Sequence, residues 1–189
     1  MKIISMNNFK LKKRNIFLFY ALISIGLKNN CLAQDTLTWQ NTIMRTESNG
    51  RTYILRKDNH KKFNGYYLMN LDEDIVYIEY IKKGITIYGK EIYNNGKIKS
   101  LRYFNKSGGE IEQGVYKSWD SLGNIESTGK YNDGYKEKEW KYYEYGILTI
   151  KGSFLHDKKV GLWNYYNREG KIIKREYYEN DDLINFNKF

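Results

Sequence analysis

The chain has 189 residues, with 32 lysines and arginines against 22 aspartates and glutamates, one cysteine and no proline. A single cysteine excludes an internal disulfide, so the fold must be held by burial and hydrogen bonds. Six of the basic residues and none of the acidic ones lie in residues 1–33, which leaves 26 against 22 and a net charge of +4 for the remainder. So small an excess excludes the clustered basic surface of a nucleic-acid-binding protein, and we predict no nucleic-acid partner.

Residues 1–33 have the organisation of an export signal. Four basic residues at positions 10–14 precede an apolar run at 16–27, and Cys31-Leu32-Ala33 supplies small residues for a cleavage site. The apolar run is shorter than the roughly 20 residues that a membrane-spanning helix needs. We therefore predict a signal helix, cleaved on export, with no stable membrane span afterwards. A retained anchor and a lipid attached to Cys31 are the alternatives.

Residues 34–60 are predicted to form an N-terminal segment that is polar at first. Its one apolar stretch, residues 52–56 (TYILR), contains β-branched and aromatic side chains typical of a strand. We predict that this strand begins or caps a sheet.

Residues 61–183 contain about five copies of a repeat with a period of 23 to 24 residues. Residues 140–148 (WKYYEYGIL) align with residues 163–172 (WNYYNREGKI), and a further copy begins at Tyr116. Shorter or degenerate copies lie upstream. Such a period indicates one small supersecondary unit that is stacked along an axis.

Each repeat is predicted to be a β-hairpin. Residues 148–154 alternate between apolar or small and polar side chains, which is typical of a strand, and an aromatic-rich strand and a glycine precede them. The pair Asn95-Gly96 favours a type I′ turn within one hairpin. Return turns between hairpins are predicted at Lys83-Gly84, Asp133-Gly134 and Asp157-Lys158.

The predicted fold is therefore all-β, an elongated single antiparallel sheet of stacked β-hairpins that is preceded by the signal helix. One hairpin buries too little apolar surface to fold alone, whereas neighbours cover its faces and pair its edges. The tail at residues 184–189 is predicted to cover the last edge of the sheet.

Three openings of glycine followed by aromatic residues carry a family resemblance: Gly65-Tyr66-Tyr67, Gly114-Val-Tyr116 and Gly161-Leu-Trp163. Over residues 61–182 the chain resembles the bacterial variant of the MORN repeat found in YwqK-like antitoxin proteins. The resemblance implies a twisted antiparallel sheet of hairpins that is not catalytic and serves as a surface for partners. Lys90 and Lys138 stand where the family pattern has a glycine.

The residues that could support chemistry are few and scattered. His60 and His156 lie in turn-like contexts, without the two or three ligands at fixed spacing that a metal site needs. The acidic cluster Asp72-Glu73-Asp74 falls at a predicted turn, where neighbouring carboxylates stay solvated and do not face each other across a cleft. No thiol is left after cleavage of the signal. We therefore predict a protein that is not an enzyme and has no metal or cofactor.

Aromatic residues are the candidates for partner binding. Three tryptophans and two tyrosines recur near the repeat period, namely Trp119, Trp140, Tyr143, Trp163 and Tyr166. Equivalent residues of successive hairpins line up about 10 Å apart across a sheet. The rings form either a binding ladder for a partner or the filling of a core, and the pattern is compatible with both.

Two functions are compatible with these features. The first is an exported protein-interaction scaffold, antitoxin- or immunity-like, that is periplasmic, on the cell surface or secreted. The alternative is a glycan-binding module of the cell surface that uses an aromatic ladder. The sequence does not identify the partner.

Overall fold

The structure, a computed structural model, describes residues 36–38, 41–48, 51–70, 75–105 and 111–189. The predicted signal helix and its cleavage site lie outside these residues. The main elements of the described part are all β-strands, which confirms the predicted all-β class. None of the described residues belongs to a helix that is long and apolar enough to cross a bilayer.

Fourteen strands make up the described fold. They are β1 (Thr36–Thr38), β2 (Thr42–Thr46), β3 (Thr52–Arg56), β4 (Gly65–Asn70), β5 (Ile75–Lys82), β6 (Ile85–Tyr93), β7 (Ile98–Tyr103), β8 (Gly114–Trp119), β9 (Ile125–Asn132), β10 (Tyr135–Glu144), β11 (Ile147–Leu155), β12 (Lys158–Tyr166), β13 (Ile172–Glu179) and β14 (Asp182–Lys188). Twelve of them form one sheet, in which β4 to β14 follow one another in chain order. These strands are antiparallel to their neighbours, which confirms the predicted stack of hairpins, whereas β1 pairs with β4 in parallel.

The N-terminal segment contributes a separate layer. The predicted strand at residues 52–56 is β3, but it pairs with β2 in a two-stranded sheet and does not begin or cap the large one. Its Ile54 N–H donates to the carbonyl of Gly84 (2.8 Å), and the Gly84 N–H donates to the carbonyl of Phe63 (2.7 Å). These bonds hold the β2–β3 hairpin against the turn between β5 and β6. The buried apolar cluster there consists of Ile54, Phe63, Tyr67 and Ile81.

The return turns between hairpins have positive φ at both central residues, as a type I′ turn requires. They lie at Lys83-Gly84, Asp133-Gly134, His156-Asp157 and Asn180-Asp181. The third turn is one residue earlier than the predicted Asp157-Lys158, because Leu155 pairs with Lys158 and leaves only the two residues between them for the loop.

The predicted type I′ turn at Asn95-Gly96 is wrong. Only Gly96 of this pair has a positive φ, of 81°. Its N–H donates to the carbonyl of Tyr93 (2.8 Å), and Lys97 N–H donates to Oδ1 of Asn95 (3.0 Å). The side-chain bond builds an Asx turn, so the loop is wider than two residues. A two-residue loop with positive φ at both positions occurs instead at Tyr145-Gly146.

The large sheet has two faces of different character, because successive side chains of a strand point to opposite sides. The face called the buried face below carries the buried residues Tyr67, Glu79, Ser100, Ser118, Trp140, Trp163 and Glu176. The β2–β3 hairpin packs on this face at Tyr67 and Ile81. The other face is called the open face, and its described side chains, apart from Val76, are half-buried or exposed.

The C-terminal tail is part of the last strand of the sheet. β14 pairs with β13 along its whole length. Residues 184–188 therefore extend the sheet as its last strand, whereas the prediction was that the tail covers the last edge. All side chains of β14 are exposed.

Candidate functional site

Trp140 and Trp163 are part of the core. Each lies on the first strand of a hairpin, with its indole flat over a glycine of the preceding strand, Gly129 or Gly152. A Cβ atom at either glycine would overlap the ring. The two side chains are 1% and 2% exposed. Neither indole therefore offers a surface to a partner. Of the two roles considered from the sequence, both side chains have that of filling a core.

Other rings extend this core along the buried face. Trp140 is stacked against Tyr116 (ring centroids 5.6 Å apart) and Tyr142 (6.2 Å), and Tyr142 is stacked against Trp163 (6.5 Å). Phe154 meets both indoles edge-on. Burial raises the pKa of the Tyr142 hydroxyl to about 12. Stacked and edge-to-face aromatic pairs contribute about 0.5–1.5 kcal/mol each beyond the area they bury.

Two lysines close this core from the solvent side. The Lys136 ammonium lies 4.6 Å from the ring centroid of Trp140, and the Lys159 ammonium lies 4.7 Å from that of Trp163. The two lysines are 23 residues apart, like the tryptophans. The cation–π contact is therefore a repeated feature of the hairpins.

The three tryptophans do not form one column, contrary to the predicted ladder. Trp140 and Trp163 are equivalent to Tyr116, which is opposite Gly129. Trp119 is equivalent to Tyr143 and Tyr166, each of which follows a β-bulge and pairs with an aliphatic residue. In these three hairpins both columns hold a large ring, and the tryptophan lies in one column in the first hairpin and in the other column in the next two.

Trp119, Tyr143 and Tyr166 are half-buried beside the hairpin loops. The Tyr93 hydroxyl, from the last residue of β6 in an earlier hairpin, donates to the carbonyl of Trp119 (3.1 Å). The structure therefore divides the five predicted residues into two core indoles and three rings that solvent reaches.

A second row of rings, which was not among the residues predicted from the sequence, lies on the open face. Tyr66, Tyr80, Tyr88 and Tyr103 are paired directly across β4, β5, β6 and β7. Their successive ring centroids are 5.4, 5.4 and 6.0 Å apart. We call these four residues the tyrosine row. The sequence signal for this row was the period-two alternation of side chains in the degenerate hairpins. Tyr80 and Tyr88 are each next to a residue of the buried face, Glu79 or Gly89, and therefore lie on the open face.

Apolar side chains flank the tyrosine row on the same face. The next row across the same strands contains Leu68, Ile78, Lys90 and Leu101. The Lys90 ammonium is 5.6 Å from the Tyr88 ring centroid. Burial, followed by a hydrogen bond with Tyr66, raises the pKa of Tyr88. The Tyr88 hydroxyl is therefore a neutral hydrogen-bonding group at physiological pH.

The open face changes character at β8. Leu101 is opposite Lys117, and the row continues through Thr128, Lys141, Lys151, Asn164 and Arg175. Glu139 bonds to Lys151 (2.7 Å) and Lys141 (3.0 Å), and these bonds lower the pKa of its carboxyl. The mainly aliphatic row beside the tyrosine row thus gives way to a mainly charged row on one continuous surface.

Glu176 is a buried carboxylate at the position that Gly129 and Gly152 occupy in earlier hairpins. Burial alone would raise its pKa, but hydrogen bonds from Lys174, Tyr165 and Tyr178 lower it to about 2. The Lys174 ammonium is 2.8 Å and the Tyr178 hydroxyl 2.9 Å from the carboxylate, and Tyr165 also donates to it. The group is ionised and fully bonded, so its role is structural.

The two histidines lie in turns. His156 is exposed, with Nδ1 3.1 Å from Glu137, and His60 has a positive φ of 57°. In the described part of the chain no three His, Cys, Asp or Glu side chains are grouped as metal ligands. The acidic cluster Asp72-Glu73-Asp74 lies outside the described residues.

No family model and no curated protein matches the chain. Among solved structures, S. aureus TarM has 17% identity and a TM-score of 0.33, over 82% of this chain and 24% of TarM. A point mutant of S. aureus TarM in complex with fondaparinux, alpha-GlcNAc-glycerol and UDP has the same identity and TM-score, over 76% of this chain and 23% of that one. The chain thus spans about a quarter of the TarM chain. A TM-score this low carries no argument about fold or function.

Proposed function

We propose that this chain is an exported, non-catalytic scaffold that binds a protein partner through the tyrosine row. The observation that supports the proposal is the alignment of four phenol rings, three half-buried and one exposed, on the open face of the sheet. Tyrosine is a typical anchor of protein interfaces, because it presents a large apolar ring and a hydroxyl with little conformational freedom to lose.

The surroundings of the tyrosine row suit such an interface. Leu68, Ile78 and Leu101 add apolar area beside the rings, and Lys90 adds a charge. The charged rows of β8 to β13 form a polar rim on one side. An apolar centre with a polar rim is the usual anatomy of a protein–protein interface.

The resemblance to the MORN variant of YwqK-like proteins adds an immunity-like role to the proposal. In that role the partner is a protein toxin, and the scaffold neutralises it by covering its surface. The export signal predicted at residues 1–33 places the encounter in the periplasm, on the cell surface or outside the cell.

Glycan binding is the second candidate, since a row of rings could also stack on sugars. Tyr80 and Tyr88 are stacked on each other at an interplanar angle of 25°, so part of each ring face is already covered. A sugar stacks on a free aromatic face, whereas a protein can also use ring edges and hydroxyls. The geometry therefore favours the protein partner.

The test compares two surfaces of the open face. The chain carrying Tyr80→Ala and Tyr88→Ala should capture its partner from secreted proteins at least tenfold less efficiently than the parent chain. The control is Tyr177→Ala, which removes a 42%-exposed tyrosine from the charged part of the same face and should leave capture unchanged. Equal capture by all three chains contradicts the proposal. Retention on insoluble polysaccharide that is lost in the double variant supports the glycan candidate.

A further inference from the structure

β14 is a further copy of the strand that opens each hairpin. Phe186 follows Trp163 by 23 residues, the spacing that separates Trp163 from Trp140. In the pairing with β13, Lys188 is opposite Lys174 and Asn187 is opposite Arg175. In β12, Tyr165 and Asn164 are opposite the equivalent residues of β11. The strand therefore occupies the place of β10 and β12 in a new hairpin.

The equivalent rings differ sharply in exposure. Trp140 and Trp163 are 1% and 2% exposed, whereas Phe186 is 57% exposed. The indoles are covered on the later side by the next strand, where Phe154 meets Trp140 at 6.1 Å and Tyr178 meets Trp163 at 6.2 Å. In the part of the chain that the structure describes, no strand pairs with the outer side of β14. Among the described residues, Phe186 therefore has no later strand beside it to cover its ring, unlike Trp140 and Trp163.

The outer edge of β14 also presents backbone hydrogen-bonding groups. The Phe189 N–H donates to the carbonyl of Ile173 (2.9 Å). The backbone groups of Phe189, and of every second residue before it, therefore point toward β13. Phe186 and Lys188 therefore direct their N–H and C=O groups away from β13. Such an edge is a template for pairing with another strand.

The two repeats before β14 show which chemistry covers the equivalent edges. In β11 and β13, which cover β10 and β12, three positions agree: an aliphatic residue (Leu148, Ile172), a basic residue three positions later (Lys151, Arg175) and an aromatic residue three positions after that (Phe154, Tyr178). The aliphatic residue pairs with the ring beside the bulge, Tyr143 or Tyr166. In β14 that ring is Phe189, which is 69% exposed.

We propose that the outer edge of β14 binds an extended segment of a partner protein, antiparallel to β14, with the pattern aliphatic-x-x-basic-x-x-aromatic. The aliphatic residue packs on Phe189, and the aromatic residue lies beside Ile184 and meets the edge of Phe186. The basic residue faces Asn187 on the open face. Two or more main-chain bonds to Phe186 and Lys188 fix the register.

A second copy of this chain is a poorer occupant. β14 itself has no basic residue three positions before an aromatic one. The described strands that do carry the pattern, such as β11 and β13, are already paired on both sides. A partner of different sequence therefore fits the edge better.

This site goes beyond the proposed function, because it lies on the edge and not on the tyrosine row. The two are separable by experiment: Tyr80→Ala with Tyr88→Ala should leave edge binding unchanged, and blocking the edge should leave the row intact. Failure of one proposal is thus distinguishable from failure of the other.

The probe is a fluorescent peptide that copies residues 172–179 of β13, and binding to the full chain is measured by anisotropy. A peptide with the arginine and tyrosine positions exchanged should bind at least tenfold more weakly. Methylation of the peptide nitrogen at the position of Glu176, which faces β12 in the native sheet, should abolish binding. The matched control is methylation at the position of Arg175, whose N–H faces away, and it should leave binding within about twofold.

The Phe186→Pro variant removes an outward N–H and should weaken peptide binding about tenfold. Circular dichroism shows whether this variant folds. If it does not fold, the comparison of the two methylated peptides tests the proposal by itself. Equal binding of both methylated peptides, or no preference over the exchanged peptide, overturns the proposal. Self-association of the full chain that Phe186→Pro abolishes also overturns it, because the occupant is then a second copy.

Discussion

The sheet buries its core in two different ways. In the N-terminal half, β4 to β7, a second layer covers the buried face: Ile54 of the β2–β3 hairpin and Phe63 of the segment that follows it pack against Tyr67 and Ile81. In the C-terminal half, β8 to β13, the described residues provide no second layer, yet Trp140 and Trp163 are nearly as inaccessible as Phe63. Burial there comes from the sheet itself.

Glycine makes the single layer possible. An indole can lie flat on the sheet only where the neighbouring strand has no side chain, as at Gly129 and Gly152. Rings of adjacent hairpins and a lysine stem of the same strand then surround it. A repeat can therefore replace a covering layer by lateral packing, provided that a small residue recurs in register. Four changes test or sharpen this contrast.

Trp163→Ala should have the largest effect. Removing a fully buried aromatic side chain costs about 3–5 kcal/mol, and no covering layer can collapse into the space. The measurement is the free energy of unfolding in denaturant. Trp119→Ala, which removes a half-buried tryptophan from the other column, is the control and should cost less than half as much. A loss below about 1 kcal/mol for Trp163→Ala would contradict a core role.

Phe63→Ala should destabilise the protein by about 3–4 kcal/mol, but through the second layer. Hydrogen exchange should then quicken in β4 and β5, while β10 to β13 keep their protection, because stacked repeats depend mainly on their neighbours. Uniform loss of protection along the sheet would show that the two halves do not differ in this way.

Gly152→Ala should cost about 2–3 kcal/mol, since its Cβ would overlap the Trp163 indole and force the ring off the sheet. Gly161→Ala is the matched control. Gly161 has a positive φ of 66° and open space around it, so its substitution costs only backbone strain of about 1–2 kcal/mol. Equal unfolding midpoints for the two variants would argue against the flat ring as the reason for the glycine.

Glu176→Gln should have the smallest effect, and its effect on the free energy of unfolding should depend on pH. The folded pKa of Glu176, about 2, lies below the value of 4.5 for a free glutamate. Its stabilisation is therefore fully present above pH 4.5 and is lost as the pH falls toward 2. At pH 7 the variant should be less stable by about 2 kcal/mol, the usual contribution of bonds to a charged group. The difference should disappear near pH 2, and a constant difference across this range would exclude the charge as the cause.

Much of the fold could be predicted because the repeat is local. Period-two alternation around Leu148, Gly152 and Phe154 indicates strands, and glycines at fixed spacing indicate hairpins. The turn at Asn95-Gly96 was predicted wrongly because Asn-Gly occurs in loops of two lengths. The hydrogen bond that the Lys97 N–H donates to the Asn95 side chain selects the wider loop. The parallel pairing of β1 with β4 is a long-range contact with no local signal.

The candidate site was less predictable than the fold. The prediction placed Trp119, Trp140 and Trp163 in one ladder because it counted residue types, whereas bulges in the strands place Trp119 in a different column. The tyrosine row was missed because its members come from four strands without a common spacing. Only the register brings Tyr66 and Tyr103 into one line.

By itself the sequence determined the repeated hairpins, their antiparallel order and the absence of a disulfide, since these depend on side-chain alternation, turn residues and cysteine number within short segments. The tertiary structure alone decided which rings are buried and which are reachable. That outcome depends on what lies under and beside each ring, such as Gly152 below Trp163 and open edge beside Phe186. Those neighbours are set by pairing between strands and not by the order of residues along one strand.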